Sequence, residues 1–419
     1  FGLLGARILT ITIGLLGVLF LVALVRRLVP AEKRTAAEIA VFLLLGSNLY
    51  HLYYLAIPKT YALASLFVAM GFYLLSIALS GRSWLAASAG LSLAFAAGTR
   101  ISLGIILAVV GFWLLFEFRK YRWTFLWFGL GGALGLAVVY GYFLLDPGTR
   151  DGLIAAQAYH AARGGFDPVF TVGSVSRLVR WYLPVFIVLG LGGFKSARLL
   201  LFAFLAVFAV QMLAPFPYED YQVPVMGLLA VFAVANLFSD SNTQTPKNPN
   251  TQNPKTLLLV LGLCFASSFG SPLLEGWMTD GQDRFWTVKK DKCELAQLRE
   301  VAREIEEEDP NGKELLTQDL YLAIETGRRV PEGLEMGPFS MLTDEEWREL
   351  LASAPCEMAA LSGYSFAINP PVCDEVPMET QIDYWSILKK NYDLVGSEER
   401  FGQNATSLLI LKRKPQENP

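Results

Sequence analysis

Along roughly the first two thirds of the chain, apolar residues run on in long blocks separated by short polar breaks; beyond that, charged residues become dense. Ten apolar stretches stand out, at approximately 8–29, 37–57, 60–79, 84–99, 101–118, 124–145, 180–196, 199–215, 222–239 and 256–274. Most approach the ~17–25 residues a helix needs to cross a bilayer. A backbone in hydrocarbon must satisfy its hydrogen bonds internally, so these stretches are predicted as helices. Two of them, 84–99 and 101–118, are short and joined only by Gly98-Thr99-Arg100, which predicts a hairpin or a re-entrant pair. The pattern therefore predicts a polytopic α-helical membrane protein, with a helical bundle over 1–275 and a soluble α/β domain over 276–419.

Within the second part, Cys293–Glu308 places Leu295, Leu298, Val301, Ala302 and Ile305 on one helical face, and Asp309-Pro310-Asn311-Gly312 ends that helix. Thr343, three residues before Glu346, reads as a helix cap with a capping box. Strands are predicted at Glu314–Thr317, Gly363–Ile368 and Ser407–Leu411, giving a small α/β sandwich. The segment 240–255, polar and dotted with prolines, reads as a disordered linker.

Composition agrees with a membrane chain. It is 53% hydrophobic and 17% charged, with a mean hydropathy of +0.40. A net charge of -3 gives no basis for a nucleic-acid partner. The four cysteines form no CxxC, and His51 and His160 stand far apart, so neither a metal site nor a cofactor is predicted. Cys356 can pair with Cys373 in an oxidising compartment, which leaves Cys293 odd. The loops carrying Arg26, Arg27, Lys33 and Arg34, then Arg82, then Arg119, Lys120 and Arg122, then Lys195 and Arg198, then Lys247 and Lys255 alternate with loops poorer in basic residues. The positive-inside rule assigns the first set to the cytoplasm of a plasma or inner membrane, and the C-terminal domain to the extracytoplasmic side.

On that outer side, four segments gather ionisable and aromatic residues: Tyr50-His51-Leu52-Tyr53-Tyr54 leading to Lys59-Thr60-Tyr61; Thr99-Arg100; the long loop Asp146–Arg180 with His160; and Tyr218-Glu219-Asp220-Tyr221. Cations suit a lipid phosphate, carboxylates can activate a hydroxyl, and rings can stack on a sugar. Each has a plainer role as well. Lys59 can snorkel, Arg100 can anchor a hairpin, the tyrosines can form an aromatic belt, His160 can sit on a surface, and Glu219 and Asp220 can be solvated loop acids. Their shared face is the argument for chemistry.

Several helix ends resemble the GT-C class of polyprenyl-phosphate-sugar-dependent glycosyltransferases, to which protein mannosyltransferases and the aminoarabinose transferases of lipid A belong. Ala6-Arg7-Ile8-Leu9-Thr10, running to Arg26-Arg27-Leu28, looks like the second membrane helix of that class. Pro58-Lys59-Thr60-Tyr61 resembles the start of a later one. The Gly-containing stretch 90–98 with Thr99-Arg100-Ile101-Ser102 resembles its hairpin, and Tyr218-Glu219-Asp220-Tyr221 resembles a tyrosine-containing outer loop. Leu316-Thr317-Gln318-Asp319 and Thr326-Gly327-Arg328-Arg329-Val330-Pro331 are similar to its external domain.

The resemblance implies transfer of a sugar from a polyprenyl-phosphate donor to a lipid, glycan or protein acceptor at the outer face. Lys59 and Arg100 would then contact the phosphate and Tyr218–Tyr221 would line the sugar pocket; Tyr61 and His160, which share that outer face, join them as candidate substrate-binding residues, among membrane lipids. It also implies that the catalytic acidic residue lies in an outer loop upstream of Phe1, so that this stretch alone is expected to be inactive. The alternative is a multi-pass transporter or a flippase for lipid-linked glycans, which calls for internal repeats and mid-membrane charges; neither is evident. A receptor or scaffold would need no converging cations.

Overall fold

The computed structural model describes residues 2–162, 166–194, 196–214, 217–239, 262, 294–335, 337, 342–362, 378–401 and 406–415. The chain divides into two compact units, Arg7–Ser271 and Pro272–Pro419 with Phe1–Ala6.

The first unit is helical. In chain order it contains α1 (Gly2–Leu28) from Arg7 onward, α2 (Arg34–Gly46), α3 (Leu49–Ala56), α4 (Tyr61–Leu79), α5 (Leu85–Thr99), α6 (Ile105–Phe116), α7 (Phe118–Leu145), α8 (Pro147–Ala162), α9 (Pro168–Trp181), α10 (Leu183–Gly192), α11 (Arg198–Met212) and α12 (Val223–Phe238). Helices thus occupy nine of the ten apolar stretches; the tenth, 256–274, falls outside the described residues except for residue 262.

They are not uniform spans. Among the described residues, four helices are long and apolar enough to cross a membrane, or up to six if each of two bent pairs is one span. The apolar run 37–57 is one of the bent ones, broken by 69°. There Asn48 leaves the helix, accepts the His51 N–H on its side chain and donates to the Trp181 carbonyl at 3.0 Å, so it caps α3 in mid-run. The second break, of 79°, separates α9 from α10, where Pro184 near the start of α10 withholds the N–H that would continue α9.

The long connection 146–180 carries α8 over the stretch around His160 and, beyond it, α9. Asp167 caps α9 by accepting from Val169 and Phe170 N–H, with Pro168 at its first turn. The acceptors that start these helices were visible as Asp-Pro pairs, Asp146-Pro147 and Asp167-Pro168.

Helix directions sort the polar breaks into two ends. Ser92 Oγ donates to the Phe67 carbonyl at 2.8 Å and Arg100 Nε to Thr60 Oγ1 at 3.1 Å, so α4 and α5 run antiparallel. α5 and α7 run parallel: a Cβ at Gly90 would strike the Phe128 carbonyl, one at Gly131 the Ala87 backbone, and one at Gly98 the Val139 side chain. α6 makes the return journey between them. One end therefore holds Lys59–Tyr61, Thr99–Arg100 and Asp146. The other holds Ser80–Trp84 and Phe116–Trp123, together with the end of α1, since Arg27 Nη2 donates to Ser80 Oγ at 2.9 Å. α12 is enclosed by the bundle, with every residue from Val223 to Asn236 buried.

The second unit is built on a four-stranded sheet of order β1-β2-β4-β3, from β1 (Leu315–Leu316), β2 (Met358–Ser362), β3 (Tyr392–Phe401) and β4 (Thr406–Arg413). β1 pairs with β2 in parallel, and the remaining pairs are antiparallel. β2 alternates: Met358 and Ala360 face one core with Leu298, Val301 and Ile305 of α13 (Glu294–Glu308), alongside Leu322 of α14 (Leu320–Glu325). Ala359 and Leu361 face another with Leu351 of α15 (Asp344–Ser353) and Leu388 of α16 (Met378–Asn391). The expected α13 and the Thr343–Glu346 capping box are present. β4 covers the expected Ser407–Leu411, whereas the strand expected at Gly363–Ile368 lies outside the described residues.

Two expectations follow from this core. Arg328, 3% exposed at its side chain, pairs with Asp309 at 2.8 Å and donates to the Asp309 carbonyl. Arg328→Ala would leave a half-buried carboxylate without its partner, and we expect it to lower the stability of this unit by about 1–3 kcal/mol, read from its chemical unfolding curve. Among the described residues Cys356 is a free, buried thiol; Cys373, its expected partner, and Cys293 lie outside them. Burial first, then the nearby Glu314, push the Cys356 thiol up to about 12. With the other cysteines changed to serine, it should resist maleimide from about pH 7 to 9 until the chain unfolds, because the reactive thiolate is absent there. Labelling at the rate of a peptide thiol would contradict this. The sign follows: the unfolded thiol ionises first, so the stability from burying the neutral group is lost as pH rises past the ordinary thiol range.

Candidate functional site

At the end of the bundle that holds Lys59 and Arg100, three breaks between helices converge. The turn before α4 supplies Lys59 and Thr60, the first residue of α4 supplies Tyr61, the junction of α5 with the 3-10 turn Ile101–Gly104 supplies Arg100, and the 3-10 turn Glu219–Gln222 at the head of α12 supplies Glu219, Asp220 and Tyr221.

The centre is a stack. The Arg100 guanidinium lies 4.0 Å from the centroid of the Tyr61 ring and 5.2 Å from that of Tyr221, the geometry of a cation–π pair. The Tyr61 hydroxyl donates to Asp220 Oδ2. The charges of Arg100, Glu219 and Lys59 all bear on the Asp220 carboxyl. The two rings, the Tyr61 hydroxyl and Thr60 Oγ1 together hold the Arg100 guanidinium, and its remaining N–H donors can meet an anion. Behind it, Gln211 Nε2 donates to Ser102 Oγ at 2.9 Å, tying the Arg100 turn to α11.

Glu219 belongs to a second pair. It is 7% exposed and its Oε1 accepts from Arg177 Nε of α9 at 3.0 Å, while Arg177 Nη2 donates to Ser174 Oγ at 2.9 Å. Tyr218, exposed, meets the rings of Phe170 and Tyr221 edge-on at 5.5 and 5.6 Å. Lys59, Arg100 and Arg177 set against Glu219 and Asp220 make three cations to two carboxylates, a local balance suited to an anion. The aromatic wall continues below. Tyr61 packs on Tyr54, Tyr54 on Tyr50, and Tyr50 stacks on Trp181 at 5.0 Å. His51 is buried and shares a hydrogen bond between Nδ1 and the Tyr182 hydroxyl at 3.0 Å.

Of the residues singled out from the sequence, Lys59, Tyr61, Arg100, Glu219, Asp220 and Tyr221 come together here, and Tyr218 adjoins them. His160 lies in α8; its side chain is outside the described residues. Sequence reading missed Arg177, whose partner is 42 positions away, and Trp181 and Tyr182, which close the aromatic wall. Their one local signal is the Arg-Trp-Tyr run ahead of Pro184. Among the described residues, no three His, Cys, Asp or Glu side chains are grouped so as to hold a metal ion.

No family model matches the chain, and no curated protein matches it. Among solved structures, it is similar to the crystal structure of ArnT from Cupriavidus metallidurans bound to undecaprenyl phosphate, with a TM-score of 0.61 over 99% of this chain and 85% of that one, at 13% identity. That neighbour is a GT-C aminoarabinose transferase. At this identity the likeness is one of fold.

Proposed function

We propose that the chain transfers a sugar from a polyprenyl-phosphate donor, with the donor phosphate held at the Lys59–Arg100–Asp220 cluster on the extracytoplasmic side of the membrane. The observation that carries this reading is the Arg100 guanidinium fixed between Tyr61 and Tyr221 at the end of an apolar bundle. It places a rigid fork for phosphate beside helices that can host a long hydrocarbon tail. The fold likeness supports it, since that neighbour holds undecaprenyl phosphate.

In the proposed reaction the bond between the anomeric carbon and the phosphate oxygen breaks, and a bond to the acceptor oxygen or nitrogen forms. The polyprenyl phosphate leaves with the electron pair, and the acceptor proton passes to a base. Lys59 and Arg100 neutralise charge on the departing phosphate, the kind of electrostatic assistance that dominates such transfers. Tyr61 and Tyr221 hold the arginine, and Tyr218 offers a ring to the sugar. A transporter calls for ionisable groups at mid-bundle, whereas these sit at helix ends.

The test needs no turnover. The reconstituted chain should bind undecaprenyl phosphate at least about tenfold more tightly than undecaprenol, the same tail without the charge. Equal binding of the two would refute a phosphate site.

A further inference from the structure

The opposite end of the bundle carries a second concentration of charge that the reading above leaves unused. The tight turn from α6 into α7 exposes Arg119, Lys120 and Arg122 within four residues, against the single carboxylate of Glu117. Arg122 follows the non-helical Tyr121 at the N-terminal end of the apolar shaft that runs to Leu145, and Arg119 and Lys120 stand just ahead of it, where the aligned peptide dipoles already present positive charge. That placement is unfavourable unless something negative sits outside. Neighbouring cations at this end are engaged within the protein: Arg26 pairs with Glu38 at 3.3 Å and Arg27 donates to Ser80. Arg119 and Arg122 have no hydrogen-bonded or ion-paired partner among the described residues.

The shape of the turn adds a second line. Tyr121 departs from helical geometry (φ -122°, ψ 29°), kinking α7 where its basic turn meets the apolar shaft. Tyr121 stacks across the turn on Trp113 at 5.8 Å, Lys120 Nζ lies 4.8 Å from the Tyr121 ring, and the Arg122 guanidinium 5.6 Å from that of Trp123. Exposed Trp123 and Trp127 follow on α7, with exposed Trp84 and Arg82 at the start of the adjoining parallel helix α5. Exposed tryptophans set the depth of a membrane interface, so the cations stand at headgroup level beside them.

We propose that this turn is a binding site for anionic phospholipid headgroups, with Arg119, Lys120 and Arg122 as the phosphate-binding cations and Trp123 and Trp84 as the interfacial flank. The occupant is a lipid because the aromatic flank opens onto the apolar side of α7, exposed at Leu126, Leu130 and Leu134, where acyl chains lie. The site is independent of sugar transfer at the other end.

The full chain is placed in nanodiscs of equal parts phosphatidylglycerol and phosphatidylcholine, and co-purifying lipid is counted by native mass spectrometry. The wild type should retain phosphatidylglycerol over phosphatidylcholine by roughly fivefold or more. Arg119→Gln/Lys120→Gln/Arg122→Gln should abolish most of that preference, while Arg150→Gln, which removes a charge elsewhere, should leave it. Removing three charges can disturb insertion, so two further arms decide independently. Arg119→Lys/Arg122→Lys should keep the preference, and millimolar inorganic phosphate should not displace the lipid. A wild type without preference, an unchanged triple variant, a lysine variant that loses selectivity, or displacement by free phosphate would each overturn the assignment.

Discussion

Replacing Arg100 by glutamine is expected to lower kcat/KM for transfer from a polyprenyl-phosphate sugar about 10²–10³-fold, in the range seen when one preorganised electrostatic group is lost. The size follows from its setting. Arg100 is half-buried, clasped by Tyr61 and Tyr221, and held by Thr60, so its orientation is fixed before a ligand arrives. Lys59 is exposed, and its charge is screened by solvent; Lys59→Gln should cost about tenfold or less. Arg100→Lys is not conservative here, because an ammonium can neither span the two rings nor fork onto phosphate. We expect it to recover less than about a tenth of the wild-type rate. The measurement is undecaprenyl phosphate binding by these variants and, in protein that carries the catalytic carboxylate, initial rate against donor concentration in proteoliposomes. An Arg100→Gln protein that binds and transfers normally would remove the arginine from the site.

The contrast between the two cations also explains how much of the site could be read from the chain. Lys59, Tyr61, Arg100 and the 218–221 turn stand at the ends of apolar stretches, and a polar residue that interrupts hydrocarbon-length helices announces itself. Nothing in the sequence states that Arg100 stacks on Tyr61 and not on a tyrosine of α3; that follows from α4 and α5 running antiparallel. Arg177 was invisible as a site residue because its meaning comes from Glu219, on the far side of two intervening helices. The break at Asn48 was hidden for a different reason: one amide in an apolar run of hydropathy that continues on both sides leaves the average unchanged. In the second unit, α13 was legible from its single apolar stripe. β3 was not: Tyr392–Phe401 reads Tyr-Asp-Leu-Val-Gly-Ser-Glu-Glu-Arg-Phe, and register shifts at Leu394/Gly396 and Glu398/Phe401 spoil its alternation. β2, Met-Ala-Ala-Leu-Ser, has the composition of a helix and is a strand because both faces are covered.

The largest effect on the fold is expected from Gly131→Val. α5 and α7 approach so closely that even the Cβ of an alanine at Gly131 would run into the Ala87 backbone, and one at Gly90 into Phe128 O and Gly132 N. Backbone atoms cannot swing aside as a side-chain tip can, so the helices must separate. In a bilayer, association between helices rests on this close packing, since lipid tails already satisfy apolar side chains. Overpacking of this kind costs about 3 kcal/mol or more when the neighbour is backbone. Gly129 and Gly141 on the same helix have open space where a Cβ would sit, so Gly129→Ala and Gly141→Ala should be neutral or slightly stabilising, as alanine is the better helix former by about 1 kcal/mol. Thermal unfolding in detergent should separate the two classes clearly. The consequence reaches the site as well: α5 ends at Arg100, and Gly135 and Gly98 continue the same contact toward that end against Ala94 and Val139. A milder wedge, Gly135→Ala, should therefore shift Arg100 relative to Tyr61 and weaken undecaprenyl phosphate binding several-fold in protein that still folds. If Gly135→Ala binds the lipid as the wild type does while Gly131→Val unfolds, then α5–α7 packing supports the bundle without setting the position of the arginine.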